Sequence, residues 1–226
     1  MFGRPDINVI HAMNRLQKHR GPDGQDAWTD DTLALGHTRL AIVDRAGGDQ
    51  PIFGPAGEIL VANGEIYNHA QLRLENKPYP WTSNVDSEAI MALYSKAKQQ
   101  QKTGSLSARQ HAAWVNQLDG MYAFCLWDPI ERRLLLARDP LGIKPLVRTH
   151  VDGSLLFASE AKALRAHENH IPTFDEAALI ARLAWEYPLD GTTLLKGVHQ
   201  VRAGTVEVWS MKDGVPTMID KANVER

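Results

Sequence analysis

Residues 122–139 read YAFCLWDPIERRLLLARD, two continuous apolar runs of strand length separated by a short polar turn. Three other stretches repeat that arrangement: LALGHTRLAIVD (33–44), IFGPAGEILVANGEIY (52–67) and LVRTHVDGSLLFAS (146–159). Short apolar runs bounded by turn residues predict β-hairpins. In the last of them Asp152-Gly153 marks a two-residue turn, because both central positions of the favoured turn need positive φ.

Helical periodicity lies before and between the hairpins. Over residues 7–19, Ile10, Met13 and Leu16 share one face behind Asp6 as a candidate cap, and the segment HRGPDG (19–24) then forces a loop. Residues 86–97 place Ile90, Leu93 and Ala97 at helical spacing. Ser107 with Gln110 forms a capping-box pattern opening a helix over 107–118, and Thr173 with Glu176 suggests the same for a helix over 175–185. The polar stretch KAKQQQKTGS (96–105) reads as a solvated helix end and loop. Strands outnumber helices and come as adjacent antiparallel pairs, which predicts a layered α+β architecture in one domain over residues 1–226.

Composition narrows the function. With 25 Lys+Arg against 27 Asp+Glu and no sustained charged block, neither nucleic acid nor an anionic membrane is an expected partner. A small-molecule ligand fits better. Cys125 is the sole cysteine, so no intrachain disulfide and no cysteine-based zinc site can form, and the expected address is the cytoplasm. No metal or cofactor site is expected either: glycine-rich phosphate loops, the His-Glu-x-x-His pattern and the Gly-x-Ser-x-Gly elbow are all missing. Cys125 itself sits inside an apolar run, where burial would hold it as an unreactive thiol.

Three polar positions carry more information. Arg39, among apolar neighbours, needs a carboxylate of the protein or of a ligand. Asn63-Gly64 follows an apolar run and is either a hairpin turn or an amide donor beside a closely approaching backbone, suited to an oxyanion. Asp86 either caps a helix or accepts from a ligand ammonium. Together they are the functions needed to hold an α-amino acid with a side-chain carbonyl.

HRGPDG, HTRLAIVD, VANGEIYNH, DSEAI, LDGMYAFCLWD, RDPLGIKPL and FASEAKAL occur in one order along the chain. In that order and spacing they resemble the class II glutamine amidotransferase domain of asparagine synthetases. The resemblance implies the four-layer α/β/β/α sandwich of N-terminal nucleophile hydrolases. It assigns Arg39 to the glutamine carboxylate, Asp86 to its ammonium, and Asn63 with the Gly64 backbone to the oxyanion hole. It also puts Glu65 in the pocket lining and Arg20 on a bordering loop.

The family's nucleophile is a cysteine following the initiator Met, in an opening Met-Cys-Gly-Ile segment. Here the chain reads Met1-Phe2-Gly3, which aligns with the end of that segment. The resemblance therefore implies a fold whose first strand is missing, a chain without glutaminase activity, and an open sheet edge that could recruit a second copy. The family's ATP-using synthetase portion has no counterpart among the motifs, so a separate synthetase subunit is the implied partner. The rival expectation is a non-catalytic ligand-binding or scaffold subunit.

Overall fold

The computed structural model describes residues 1–41, 47–101, 103–186 and 191–224. The last three residues of LALGHTRLAIVD and Lys102 of the polar stretch lie outside them.

Three of the four predicted hairpins form; the described part of the stretch 33–44 supplies a single strand whose partner lies upstream of it, and the strands distribute over one larger sheet and two smaller pieces. One hairpin pairs β1 (Gly24–Thr29) with β2 (Ala34–Arg39). Another joins β3 (Ile52–Phe53) to β4 (Ile59–Ile66), a third joins β5 (Gly120–Asp128) to β6 (Arg133–Arg138), and the fourth joins β7 (Val147–Val151) to β8 (Ser154–Ala158). Asp152 and Gly153 take φ of 50° and 72°, as the turn reading requires. Later in the chain come β9 (His199–Gln200), β10 (Thr205–Lys212) and β11 (Val215–Asn223). The larger sheet is antiparallel in the order β11-β10-β6-β5-β4-β3.

The continuous apolar runs of β5 and β6 are explained by burial on both faces. Because side chains alternate, Phe124, Leu126, Leu135 and Ala137 face a helical layer, while Ala123, Cys125, Leu134 and Leu136 face the other sheet. The helical layer consists of α2 (His69–Glu75), α3 (Glu88–Gln100) and α4 (Ala108–Val115). On the far side, α1 (Ile7–Leu16) and a 3₁₀ segment (Ala161–Ala166) bury Ile10, Met13, Ala163 and Leu164 against β2, β7 and β8. The order of layers is α/β/β/α, as the resemblance implied.

The smaller sheet consists of two pieces, β1-β2 and β8-β7-β9. Residues 1–3 lie between them. Phe2 bridges to Leu33 on one side and Leu155 on the other, exchanging backbone hydrogen bonds with Leu155 at 2.9 and 2.8 Å. Met1 O and Gly3 N bond to Ala34 and Thr32. Residues 1–3 thus span the space between the two pieces. The fully buried Phe2 ring packs on Trp127 of the opposite sheet, with centroids 5.5 Å apart.

Helix ends differ in detail from the sequence reading. Asp6 caps α1 through Asn8 N, but the helix stops at Leu16 and a 3₁₀ turn (Lys18–Arg20) follows. Both arms of the Ser107–Gln110 box are present. The cap of α5 (Glu176–Trp185) is Asp175, accepting from Ala178 N, and not Thr173, whose carbonyl instead accepts from Lys196 N. Helix α2 had no sequence signal in the reading above.

Candidate functional site

Strand β4 outlasts its neighbour. Its odd-numbered residues hydrogen-bond toward β5, a phase fixed by the Tyr67 N to Asp119 O bond that continues the ladder. The even-numbered residues point their backbone groups the other way, where β3 covers only Ile59 and Leu60. Beyond that, side chains substitute for a strand. Gln50 accepts from Ala62 N (2.7 Å) and donates to Ala62 O (3.1 Å), and Asp86 accepts from Ile66 N (2.6 Å). Gly64 lies between these two clamps, with its backbone facing the opening.

Asn63-Gly64 is thus not a hairpin turn. Both residues sit inside β4, opposite Ala123 and Tyr122. A Cβ at Gly64 would lie 2.2 Å from Met121 O, so strand packing itself demands glycine. The Asn63 Nδ2 amide is buried without a hydrogen-bond partner. Asp86 does not cap α3, whose N-cap is Ser87; its carboxylate ties the start of that helix to β4.

A cavity of about 250 Å³ opens at this edge. Its lining includes Arg20, Arg39, Asn63, Gly64, Glu65 and Asp86, so all six residues expected from the sequence meet in one place. Arg39 comes from the end of β2, in the opposite sheet. Its side chain is 13% exposed and bonds at 3.0 Å to Asp49, which is itself 81% exposed. Arg20, on the 3₁₀ turn, is held by Glu160 at 3.0 Å, alongside His19 and Lys162. Burial alone would push the Glu160 carboxyl up, but hydrogen bonds from Lys162, His19 and Arg20 outweigh it and hold the group at about 2.

A second, smaller cavity of about 130 Å³ adjoins the first and shares Arg20, His37, Thr38, Ala62 and Asn63 with it. Its walls are mostly apolar and include Met1, Met13 and Cys125. The Met1 amine donates to Ala34 O at 2.7 Å, and burial lowers it to about 5. Burial raises the Cys125 thiol, which stays protonated in the core as expected.

Two contributors escaped the sequence reading. His37 stands on the shared wall; burial lowers it to about 4 despite a hydrogen bond with the Ala62 backbone, so it is neutral at ordinary pH. Gln50 completes the clamp on the same residue. The HTR spacing could have flagged His37, since residues two apart on a strand share a face with Arg39. Nothing local marks Gln50, whose role exists only through the strand-edge geometry. Among the described residues no helix is long and apolar enough to cross a membrane.

Comparison with known proteins adds the context. Residues 1–218 match the family described as the glutamine amidotransferase domain. The chain is 34% identical over 200 residues to asparagine synthetase [glutamine-hydrolyzing] 1 of Bacillus subtilis, covering 87% of this chain and 29% of that protein. It is 40% identical over 157 residues to asparagine synthetase [glutamine-hydrolyzing] 3 of Arabidopsis thaliana, covering 69% and 25%. The chain therefore spans less than a third of the length of these relatives. Among solved structures, the glutamine phosphoribosylpyrophosphate amidotransferase of B. subtilis, complexed with ADP and GMP, superposes with a TM-score of 0.55 at 21% identity. The match covers 87% of this chain and 36% of that one. At that identity the likeness speaks for the fold.

Proposed function

This chain belongs to the glutamine amidotransferase domain family, and from that membership we propose that it binds glutamine in the larger cavity, between the end of β2 and the open edge of β4. Arg39 pairs with the α-carboxylate and Asp86 accepts from the α-ammonium through the oxygen that Ile66 leaves available. Asn63 Nδ2 and the Gly64 amide donate to the side-chain carbonyl, as an oxyanion hole would. Glu65 and Arg20 border the ligand. The observation that carries this reading is the convergence of Arg39, Asn63, Gly64 and Asp86, drawn from three separate segments, on one cavity.

Binding is not hydrolysis. A thioester route needs an activated sulfur within reach of the bound amide. No cysteine lines the larger cavity, and Cys125, on the wall of the smaller one, is held as a thiol by burial. We therefore assign these 226 residues a glutamine-binding role without glutaminase turnover. Amide transfer is assigned to protein outside these residues, such as a synthetase portion or subunit, since the matches cover only 29% and 25% of the relatives.

Isothermal titration of the chain with glutamine tests the binding. Measurable affinity is expected, and Arg39→Ala should weaken it about tenfold or more by removing the carboxylate's charged partner. Unchanged affinity in that variant overturns the ligand placement. In a coupled assay of glutamate release the chain should not exceed background, and turnover would overturn the assignment.

A further inference from the structure

The segment RDPLGIKPL has no role in the site as described so far, yet its loop is among the most heavily braced in the molecule. Asp139, 1% exposed, accepts backbone N–H bonds from Leu141, Ile143 and Lys144 at 3.1, 2.9 and 3.0 Å. Its carboxylate also takes Tyr122 N at 3.3 Å, and its own backbone N–H donates to Tyr122 O at 2.8 Å. From the other side Arg138, 9% exposed, donates to Lys144 O at 2.7 Å, Gly142 O at 2.8 Å and Val201 O at 2.9 Å. A buried Arg and a buried Asp thus clamp the eight-residue loop between β6 and β7 by its backbone.

Such bracing costs desolvation of two charges, so it calls for a reason. Core packing does not supply one, because Leu141 and Ile143 leave most of their side chains in solvent. What the loop delivers to the cavity is Lys144, which lines it and forms no ion pair with any described residue. Location decides the end it serves. The Asp139 bonds fasten the loop to Tyr122, and Tyr122 is the β5 residue opposite Gly64. The loop thus sits level with Gly64 along the strands, and Lys144 lines the same cavity as Asn63, whose amide is unpartnered.

We infer that Lys144 is a further ligand-binding residue, taking the oxygen at the side-chain terminus of the amino acid and favouring one with a negative charge there, so that the cavity holds glutamate more tightly than glutamine. This rests on the amino-acid reading of the cavity given above. Two donors without acceptors among the described residues suit a carboxylate better than a carboxamide, which brings its own N–H groups.

The test is titration calorimetry of the full chain with glutamate and with glutamine, for the unmodified protein, Lys144→Gln and Lys144→Arg. The unmodified chain should prefer glutamate. Lys144→Gln should weaken glutamate about tenfold and glutamine by less than about threefold, and Lys144→Arg should restore most of the loss. A merely structural loop residue would change both ligands alike. Equal losses, or no loss, overturn the inference while leaving glutamine binding and its dependence on Arg39 intact. An unmodified chain that binds neither ligand overturns both proposals together.

Discussion

The two sheets reach similar burial by very different means. In the larger one every neighbouring pair from β11 to β4 is joined by a ladder of at least six residue pairs, so continuity is distributed over many hydrogen bonds. The smaller one is two fragments joined at Phe2. The candidate site draws from both: Arg39 hangs on β1-β2, while Asn63, Gly64 and Glu65 ride on β4. The spacing between Arg39 and the Asn63–Gly64 edge is therefore only as firm as the weaker sheet.

Removing the joint gives the largest expected effect. Phe2→Ala deletes a fully buried ring that packs on Trp127 and should cost about 3–5 kcal/mol, read from urea or guanidinium unfolding. Hydrogen exchange should then quicken across β1-β2 before it does in β5-β6. Uniform quickening would show that the two sheets share one level of stability, and the contrast drawn here would fail.

Acid provides a second, smaller perturbation with one histidine in each half. His37 on β2 and His111 on α4 both have their imidazoles lowered by burial to about 4. His111 also accepts the Trp114 indole N–H on Nδ1 at 3.1 Å, which requires an unprotonated nitrogen there. Since the folded values lie below the ordinary 6.5, the unfolded chain binds more protons between the two. The stabilisation is complete above pH 6.5, is lost as pH falls from 6.5 to 4, and changes no further below that. Each histidine should contribute on the order of 2–3 kcal/mol, the His37 share being reduced by its partial exposure. Unfolding midpoints of His37→Gln and His111→Gln between pH 7 and 4 should each show a flatter slope than the parent. A slope unaltered in His37→Gln would place acid sensitivity wholly in the larger sheet's helical cover.

What the sequence made legible follows the range of the forces involved. Three hairpins, the Asp152-Gly153 turn and the Ser107–Gln110 box rest on neighbours a few residues apart and were readable, whereas the partner of β2 was not, being upstream of the stretch read as its hairpin. Pairings between distant segments were not. Asn63-Gly64 has the composition of a turn, and only the approach of Met121 O shows why glycine is needed within a strand. Asp86 has the composition of a cap, but its carboxylate accepts from Ile66 N while Ser87 is the N-cap of α3. Residue chemistry alone left each position with two meanings; the ordered motifs, taken as a family resemblance, selected the pocket. Gln50 stayed unread because its task is to complete an edge that exists only once β3 has stopped short of β4.

The smallest expected effect concerns α5. In the helices over the larger sheet, apolar positions are spent on burial, and Leu93 of α3 is 1% exposed. In α5 no residue is buried, and Ile180, Leu183 and Trp185 are 68%, 76% and 60% exposed. A ten-residue helix gains little from propensity alone in water, so the interactions that normally hold such a helix are not provided by the described residues. Leu183→Ser should then alter unfolding free energy by less than about 0.5 kcal/mol, whereas Leu93→Ser, which empties a core site and buries a hydroxyl, should cost about 3–5. The pair turns the contrast between covered and uncovered layers into one ratio. A Leu183→Ser loss approaching that of Leu93→Ser would mean that α5 is covered in solution, and the contrast between covered and uncovered helices would fail.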